Sequence, residues 1–515
     1  MAKVLLINPS WLRTYGSAKA SIASPLYPAL GLATIAGAAK KGGHTVRLLD
    51  LCYRPYDTET IRNEIREFRP DVVGVTGATP LMNQIRDISC LAKEISSDIL
   101  VVGGGAHISA MPRESMLESM LDVAVYGEGD LTFPEILDGR PPAGIRGICY
   151  RAGDNIVKNP PRPLVENLDD LPMPDWSIYP AQEYASRVSR IMVRRTPAAM
   201  IEFSRGCVFK CDYCGSKNSM GLGYRKKSPE RCAAEMEELK RLGFREAILA
   251  DDIFTSDNAW AKRVCEEFVR RDIGMLWTCT NGIRVDSADA GLFRAMKRAG
   301  CYRVHFGFES GNDEVLRSFG KGGRASLAQG LKAVRQARTE GMDTYGMYMF
   351  GLSADTEASM QDTIDYARTT PVDVMRLVVT VPLPGTKIFN DYRRAGRIRS
   401  FDWDLYNVYN TRPIYDHPNL SWETIERFYQ KAYREAYWRN PAFLWRRLIR
   451  GIKTGEFFWD IYYGIRFFFA SYDNAHEAFR YGYRDRWPMF DFKAGPVESP
   501  EIQSAKKPSG ETAAA

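Results

Sequence analysis

Three cysteines in one short loop are the residues of this chain best suited to metal chemistry. Cys207, Cys211 and Cys214 stand in the segment SRGCVFKCDYCGSKN, with three and then two residues between them. Structural zinc sites use four ligands, usually as two separated pairs, and the next cysteine, Cys232, lies in a separate helical pattern. A zinc site completed by a distant ligand is one hypothesis. An iron–sulfur cluster held by three thiolates, with one iron open to an outside ligand, is the other.

Strands that alternate with helical patterns must position this loop. Apolar runs predict a first series of strands at 3–7, 45–49, 72–76, 99–103 and 122–126, and a second at 199–204, 246–251, 275–280, 302–308, 344–350 and 374–381. Such strands, separated by helices, form parallel sheets covered on both faces. The predicted fold class is α/β: a Rossmann-like doubly wound sheet, a partial (β/α)6 barrel, and a C-terminal helical region.

Changes in composition along the chain predict five segments. They are a Rossmann-like domain (1–140), a Pro-rich linker (141–190), a barrel (191–395), a helical domain (396–493) and a disordered tail (494–515). The linker is predicted to be extended, because proline fixes φ and removes a hydrogen-bond donor. The three cysteines directly follow the first barrel strand, at the end of the strand where barrels carry function.

Glycine-rich strand ends mark a second candidate site, in the first domain. Doubly wound sheets bind ligands beyond the carboxyl ends of their strands. The residues at these ends are Thr76, Gly77, Gly103, Gly104, Gly105, Gly127 and Glu128. Glycine there permits close approach of a large flat ligand or a phosphate, and tight turns are the alternative. The first strand is not followed by G-x-G-x-x-G, so dinucleotide binding is not favoured.

Composition narrows the class of protein. The chain has 515 residues, a net charge of +7 and 45% hydrophobic residues. No zinc-finger, helix-turn-helix or RNA-binding signature is present, so no nucleic-acid partner is predicted. The start, MAKVLLINPS, is not typical of a signal peptide, and no apolar stretch reaches the ~18–20 residues of a membrane span. We therefore predict a cytoplasmic chain whose cysteines are buried thiols or metal ligands.

The cysteine motif, with the aromatic Tyr213 before its last cysteine, resembles the signature of radical S-adenosylmethionine (SAM) enzymes. This resemblance implies a [4Fe–4S] cluster on the three cysteines, SAM on the open iron, and a 5′-deoxyadenosyl radical that abstracts hydrogen. The segment HFGFESGNDEVL (305–316) is similar to the family's fourth-strand segment, which implies that Glu309 holds the SAM ribose. Tyr213, Glu309 and the adjacent Ser310 are therefore the candidate SAM contacts.

A Rossmann-like domain joined to such a barrel resembles the cobalamin-binding class of radical SAM enzymes, the class B methylases among them. GVTGATPLM, VVGGGAH and VYGEGDLTF look like that class's third, fourth and fifth strand ends. The resemblance implies that the strand-end residues named above contact cobalamin. The loop NPSWLRTYG after the first strand contains no histidine, as is usual in this class. His44 and His107 are predicted to be structural or solvent-facing.

The predicted activity is methylation of an unactivated carbon in a small-molecule or lipid-like substrate. The resemblance implies two SAM molecules per turnover and a one-electron donor such as flavodoxin or ferredoxin. One alternative is a non-methylating reaction, such as oxidative ring cyclisation or carbon–carbon bond formation. Another is a cobalamin or cluster sensor without catalysis.

The C-terminal region gives limited information about the substrate. EFFWDIYYGIRFFFA (456–470) is nearly apolar and follows the basic run Arg446, Arg447, Arg450 and Lys453. One interpretation is a helical cap packed over the barrel mouth. The other is an interfacial helix that meets anionic lipid or admits a lipid-like substrate. On the second interpretation the protein is peripheral to the inner face of the membrane.

Overall fold

The computed structural model describes residues 1–14, 27–185, 193–281, 283, 285–286, 288–320, 326–409 and 412–469. These residues form two sheets with helices packed on them and a helical C-terminal region, which confirms the predicted fold class. The predicted tail, 494–515, lies outside the described residues, as does the part of the predicted helical domain after residue 469.

A seven-stranded sheet carries the N-terminal part of the chain. Its order is β2-β1-β3-β4-β5-β6-β7, and the first five strands run parallel, as predicted. The strands are β1 Lys3–Asn8, β2 Thr45–Asp50, β3 Val72–Thr76, β4 Leu100–Gly104, β5 Val123–Val125, β6 Ile148–Ala152 and β7 Asn155–Lys158. Val4 and Leu6 of β1 join one hydrophobic core and Leu5 and Ile7 another, so both faces of the sheet are covered.

Helices connect and follow the strands of this sheet. They are α1 Leu30–Lys41, α2 Thr58–Phe68, α3 Met82–Ile95, α4 Ala106–Ala110, α5 Pro112–Leu117, α6 Thr132–Leu137 and α7 Ala181–Ala185. Asp57 begins α2, since its side chain accepts hydrogen bonds from the amides of Glu59 and Thr60.

The segment predicted as an extended linker contains a β-hairpin. β6 pairs antiparallel with β5 and with β7. Gly153, at the turn, has a φ of +60°, a conformation that glycine adopts without strain. Both strands are short, and β7 is the edge strand of the sheet, so their pattern is weaker than that of the central strands. After Lys158 the chain has only short 3-10 turns, Leu168–Asp170 and Trp176–Ile178, until α7 begins.

A six-stranded parallel sheet forms the second part, as predicted. Its order is β15-β14-β13-β12-β11-β8, and a short antiparallel pair, β9 and β10, lies beside the cysteine loop. The strands are β8 Ala198–Ile201, β9 Ser204–Arg205, β10 Arg225–Lys226, β11 Glu246–Leu249, β12 Leu276–Cys279, β13 Cys301–Glu309, β14 Asp343–Phe350 and β15 Val374–Val379. The sequential strand order is that of a barrel left open between β8 and β15.

Helices separate the strands of this sheet. They are α8 Lys217–Met220, α9 Pro229–Arg241, α10 Asn258–Arg270, α11 Ala290–Arg298, α12 Asp313–Ser318, α13 Leu327–Thr339, α14 Glu357–Thr369 and α15 Lys387–Arg394. Ser228 caps α9, because its hydroxyl accepts a hydrogen bond from the amide of Arg231.

The C-terminal region is helical as far as it is described. It comprises α16 Trp422–Ala432, a π-helical segment Tyr433–Trp438, α17 Pro441–Thr454 and α18 Phe457–Phe469. None of the described helices is long and apolar enough to cross a membrane.

Ion pairs place α17 at the amino end of the barrel strands, opposite the predicted mouth. Arg450 donates to Asp343 at the start of β14 (2.9 Å) and to Glu456 (2.6 Å). Arg303 of β13, fully buried, lies 3.4 Å from both of these carboxylates. The interpretation of this region as a cap over the barrel mouth is therefore wrong, because buried charge pairing fixes it at the other end.

Candidate cofactor site

The loop that carries the three cysteines leaves the barrel at Gly206. This residue has a φ of +83°, and a Cβ on it would lie 2.0 Å from the carbonyl oxygen of Gly223. Cys207 then forms a β-bridge with Leu222. Only glycine fits this position, so the glycine of SRGC sets the path of the loop.

The three thiols differ in accessibility from the other cysteines. Cys207 and Cys214 are partly exposed, Cys211 is at the border of burial, and the remaining seven are buried. Burial raises the pKa of the Cys232 thiol well above its usual value and that of Cys90 to about 11. Accessible thiols suited to bind a cluster are thus found in the loop, while Cys232 packs inside α9 against the core.

The donor set of the loop fits an iron–sulfur cluster. Cys211 and Cys214 are held in one turn, since the amide of Cys214 donates to the carbonyl of Cys211 at 3.1 Å. Among the described residues, no group of three or more histidines, cysteines, aspartates or glutamates is arranged to hold a single metal ion. A four-iron cluster needs no such convergence, because each thiolate binds a different iron.

Two predicted SAM contacts, Tyr213 and Glu309, meet beside this loop. Tyr213 is partly buried and packs against Phe319, with ring centroids 5.3 Å apart. Burial, followed by the nearby Glu309 carboxylate, raises the pKa of the Tyr213 hydroxyl well above its usual value. The phenol therefore stays protonated and donates its hydrogen bond to Glu309. The structure thus brings together a residue of the loop and a residue at the end of β13.

Glu309 adopts a backbone conformation that is rare outside glycine. Its φ is +59°, and the register of β13 and β14 shifts between Gly307 and Glu309. A Cβ on Gly307 would lie 2.3 Å from Oε1 of Glu309, so the carboxylate folds back over that glycine. Left-handed residues of this kind cost of order 1–3 kcal/mol and cluster at functional sites. The bulge aims the carboxylate toward the inside of the barrel.

Ser310, the third predicted SAM contact, is fully buried. Its hydroxyl accepts a hydrogen bond from the amide of Asn312 at 3.1 Å and lies 3.3 Å from that of Thr363. Its side chain therefore holds the turn after Glu309.

Asp251 and Asp252, after β11, support the start of the cysteine loop. Asp251 accepts hydrogen bonds from the amide of Phe203 (2.7 Å) and the hydroxyl of Ser204, and burial raises its pKa to about 7. Asp252 accepts from the amide of Gly206 at 3.1 Å, and burial raises its pKa to about 6.

A cavity of about 310 Å³ lies at the carboxyl edge of the first sheet. Of the predicted cobalamin contacts, it is lined by Thr76, Gly103, Gly104, Gly105, Gly127 and Glu128, while Gly77 does not line it. Arg205, Ser219 and Met220, which flank the cysteine loop, close its other side. The two predicted sites therefore adjoin each other.

Glycines keep the wall of this cavity flat. A Cβ on Gly105 would lie 2.7 Å from Oγ1 of Thr76, and Gly105 has a φ of +99°. Next to it, Cβ atoms on Gly104 and Gly127 would meet almost nothing within 4 Å. Open glycine backbone gives a flat ligand such as a corrin ring a surface to approach, so the wall fits cobalamin.

His44 and His107 lie away from the cavity. The Nδ1 atom of His44 accepts a hydrogen bond from the amide of Ala2 at 3.1 Å. His107 is buried between Thr79, 3.3 Å from its Nδ1, and the ring of Trp403. Both packing environments agree with the structural role predicted for these histidines.

Glu128 belongs to a buried ion network that joins the first domain to the β9–β10 pair beside the cysteine loop. Arg225 donates to both of its carboxylate oxygens, at 2.8 and 2.9 Å, and Arg205 donates to it at 3.2 Å. Arg205 also makes two bonds to Asp130, at 2.9 and 3.0 Å, and one to Glu202 at 2.6 Å. The sequence predicted Glu128 as a cofactor contact, but its partners are 77 and 97 residues away along the chain. No local pattern could have shown this network, which fixes the first domain against the cysteine loop.

Comparison with known proteins defines the class. The B12 binding domain family matches residues 20–137, and the Radical SAM superfamily matches residues 201–367. The chain is thus a radical SAM protein with an N-terminal B12-binding domain, and the predicted recognition is confirmed.

The relatives carry different activities in their names. An uncharacterized methyltransferase of Pyrococcus horikoshii is 29% identical over 87% of this chain and 98% of its own length. An anaerobic magnesium-protoporphyrin IX monomethyl ester cyclase of Rubrivivax gelatinosus is 29% identical over 79% of this chain and 72% of its own. The solved radical SAM methyltransferase TsrM of Kitasatospora setae has the same fold, with a TM-score of 0.63, 22% identity and 76% of each chain covered.

These domains confirm the cofactors that the sequence predicted. A radical SAM domain is built for a [4Fe–4S] cluster and SAM, and a B12-binding domain for cobalamin. The protein is therefore a radical SAM enzyme of the cobalamin-dependent, methyltransferase-like group.

Proposed function

We propose that this enzyme methylates an unactivated carbon of a small-molecule or lipid-like substrate. Cys207, Cys211 and Cys214 would bind the cluster, and the strand-end residues of the first sheet would bind cobalamin. The cluster and SAM supply hydrogen-atom abstraction when bound, and cobalamin supplies a methyl group.

The observation that carries the proposal is the shared cavity. One wall of it is formed by the glycine-rich strand ends, and the other by Arg205, Ser219 and Met220 on either side of the cysteines. A methyl donor held there is next to the site where a carbon would lose its hydrogen. Methyl transfer between two bound groups depends on such proximity.

We expect the chain's own residues to position the cofactors. Glu309 presents a carboxylate that can accept hydrogen bonds from ribose hydroxyls, and Tyr213 fixes the direction of that carboxylate. The ion network of Arg205 holds the cobalamin-binding domain at a constant distance from the cysteine loop. A reduced flavodoxin or ferredoxin would supply the electron.

A non-methylating reaction is the second candidate. It is favoured by one observation: the cyclase of Rubrivivax gelatinosus is as similar in identity to this chain as the methyltransferase of Pyrococcus horikoshii. The two candidates differ in what happens to the methyl group of SAM, so they can be separated before the substrate is known.

The test uses the full-length chain with a reconstituted cluster, hydroxocobalamin and SAM that carries a deuterated methyl group, under anaerobic reduction. We expect deuterated methylcobalamin, S-adenosylhomocysteine and, with slower kinetics, 5′-deoxyadenosine, all measured by mass spectrometry. The matched control omits cobalamin and should yield 5′-deoxyadenosine without S-adenosylhomocysteine.

Each other outcome selects an alternative. 5′-Deoxyadenosine without methylcobalamin contradicts a methylase and supports cyclisation or carbon–carbon bond formation. If neither product forms while iron and cobalamin are bound, the non-catalytic sensor is supported.

For the C-terminal helices we propose contact with a lipid surface through exposed apolar side chains. Trp445 of α17 is 63% exposed and Phe458 of α18 is 79% exposed. Two residues of the predicted basic run are engaged elsewhere, since Arg447 donates to Asp460 and Arg450 to Asp343. Attraction to anionic headgroups therefore contributes less than the sequence suggested, and burial of aromatic side chains contributes more.

We expect the full-length chain to sediment with neutral phosphatidylcholine vesicles, and added salt to change this little because apolar burial is not screened. The double variant Trp445→Glu, Phe458→Glu should lose the binding. A matched variant, Leu131→Glu with Val269→Glu, adds the same charge at exposed apolar positions elsewhere and should retain it. No sedimentation of wild type, or equal loss in both variants, would contradict this contact.

A further inference from the structure

The inner face of the barrel sheet is accessible toward its carboxyl end. Partly exposed residues alternate with buried ones along β13 and β14. The partly exposed set is Gly307, Glu309, Met347 and Met349, and the residues between them, Phe308, Tyr348 and Phe350, are buried. Because strand side chains alternate between faces, the partly exposed set lines one space inside the barrel.

Arg376 belongs to the same face. In the register of the sheet it pairs with Met347, which pairs with Gly307. It is partly exposed, whereas its neighbours Met375 and Leu377 are buried. Glu309 pairs with Tyr348, one residue beyond Met347, so Arg376 lies about one residue, roughly 3.3 Å along the strands, from the level of Glu309.

The layer beneath this space is buried and polar. His305 and Tyr345 stack with ring centroids 4.1 Å apart, and Nε2 of His305 has no hydrogen-bond partner in the described part of the chain. Burial, then the charges of Arg303 and Arg376, holds the pKa of His305 well below its usual value. The imidazole is therefore neutral, and the charge above it comes from arginine.

Two arginines lie close to this layer. Arg303 is paired with Asp343 and Glu456 at the amino end of the strands. Arg376 stands one layer higher, with its guanidinium 5.2 Å from the ring centroid of Tyr409. Burial raises the pKa of Tyr345 to about 12, and the charge of Arg376 opposes this rise. The space therefore combines the Arg376 guanidinium and the Glu309 carboxylate with an apolar wall of methionines.

We propose that Arg376 is a specificity-determining residue that binds an oxyanion of the substrate, a carboxylate or a phosphate. The apolar part of the substrate then packs on Met347 and Met349, beneath Glu309. Guanidinium binds both kinds of oxyanion through paired hydrogen bonds. This inference rests on the proposed function in one respect, that the space inside the barrel is the substrate site.

The experiment measures ligand binding without turnover. The probes are 4-fluorobenzoate, 4-fluorophenyl phosphate and the neutral 4-fluorobenzamide, titrated by fluorine NMR into the full-length chain with cluster, cobalamin and SAM, in the absence of reductant. We expect at least one of the anions to bind about tenfold more tightly than the amide, as charge-assisted hydrogen bonds do. The anion that binds more tightly distinguishes a carboxylate from a phosphate site.

Variants assign the effect to one residue. Arg376→Met should reduce the preference for the anion to near equality with the amide, and Arg376→Lys should keep part of it. Arg427→Met is the matched control, because Arg427 is an exposed arginine of α16 paired with Glu357, and it should leave the preference unchanged. Iron and cobalamin contents like those of wild type show that a variant is folded.

Two results would overturn the assignment: no preference for an anion in wild type, or a preference that survives in folded Arg376→Met. A chain that binds anions through Arg376 but forms no methylcobalamin would refute the proposed methylation and leave this inference standing. A chain that forms methylcobalamin but binds all three probes equally would do the reverse.

Discussion

Replacing Cys207, Cys211 and Cys214 together with alanine should remove about four irons per chain while bound cobalamin is retained. The reason is that the three thiols lie in one loop at the end of the first barrel strand, whereas the candidate cobalamin contacts come mainly from strand ends of the first sheet. Iron, sulfide and cobalamin are measured after anaerobic reconstitution, together with the visible spectrum.

The control for this triple variant is Cys279→Ala. Cys279 is fully buried on β12, and burial raises the pKa of its thiol well above the usual value, so its loss should leave the iron content unchanged. Iron that persists in the triple variant would show that other residues hold the metal. Simultaneous loss of cobalamin would show that the two sites are not separable. If cobalamin fails to bind even to wild type, the methyl-transfer mechanism fails with it.

The cysteine site was predictable because it is local. Cys207, Cys211 and Cys214 lie within one turn region, so the whole motif can be recognised in one short segment of the sequence. The barrel strands were predictable for a related reason, since each is a short apolar run whose burial the pattern alone indicates. Glu309 could be named from the segment around it, but its left-handed backbone and its bond to Tyr213 could not.

What the sequence could not supply are the long-range pairs. Glu128 lies at a glycine-rich strand end typical of a ligand site, but its carboxylate is paired with Arg205 and Arg225 of the β9–β10 pair. The C-terminal helix was predicted correctly as an element and wrongly in place, because Arg450 meets Asp343 across 107 residues. Two charges that lie so far apart along the chain are paired by the fold as a whole. No short segment of the sequence therefore shows which charges will pair.

The second large effect is expected from the ion network between the first domain and the β9–β10 pair. Arg205→Met should reduce the free energy of unfolding by about 3–5 kcal/mol, because removing one partner of a buried ion pair leaves charge uncompensated. Here Asp130 would lose both of its bonds to Arg205, and Glu202 and Glu128 one each. The measurement is urea unfolding of the full-length chain at neutral pH, with the exposed-pair variant Arg241→Met as a control that should hardly shift the midpoint.

A second substitution tests whether charge is the cause. Asp130→Asn in the Arg205→Met background removes one of the stranded carboxylates and should restore part of the lost stability. If it restores nothing, lost packing rather than lost charge explains the effect. If Arg205→Met unfolds at the wild-type midpoint, the network does not hold the domains together.

The stability that this network contributes should decrease at low pH. Burial alone would raise the pKa of Asp130, but the Arg205 guanidinium outweighs it and holds the pKa below its usual value. A group with a lowered pKa stabilises the folded state above its unfolded pKa, and this contribution is lost as the pH falls through the folded one. The difference in free energy of unfolding between wild type and Arg205→Met should therefore be largest near neutrality and shrink below about pH 4.

Because Arg205 immediately precedes Gly206 and Cys207, the same variant should also lose methylcobalamin formation under conditions where both cofactors remain bound.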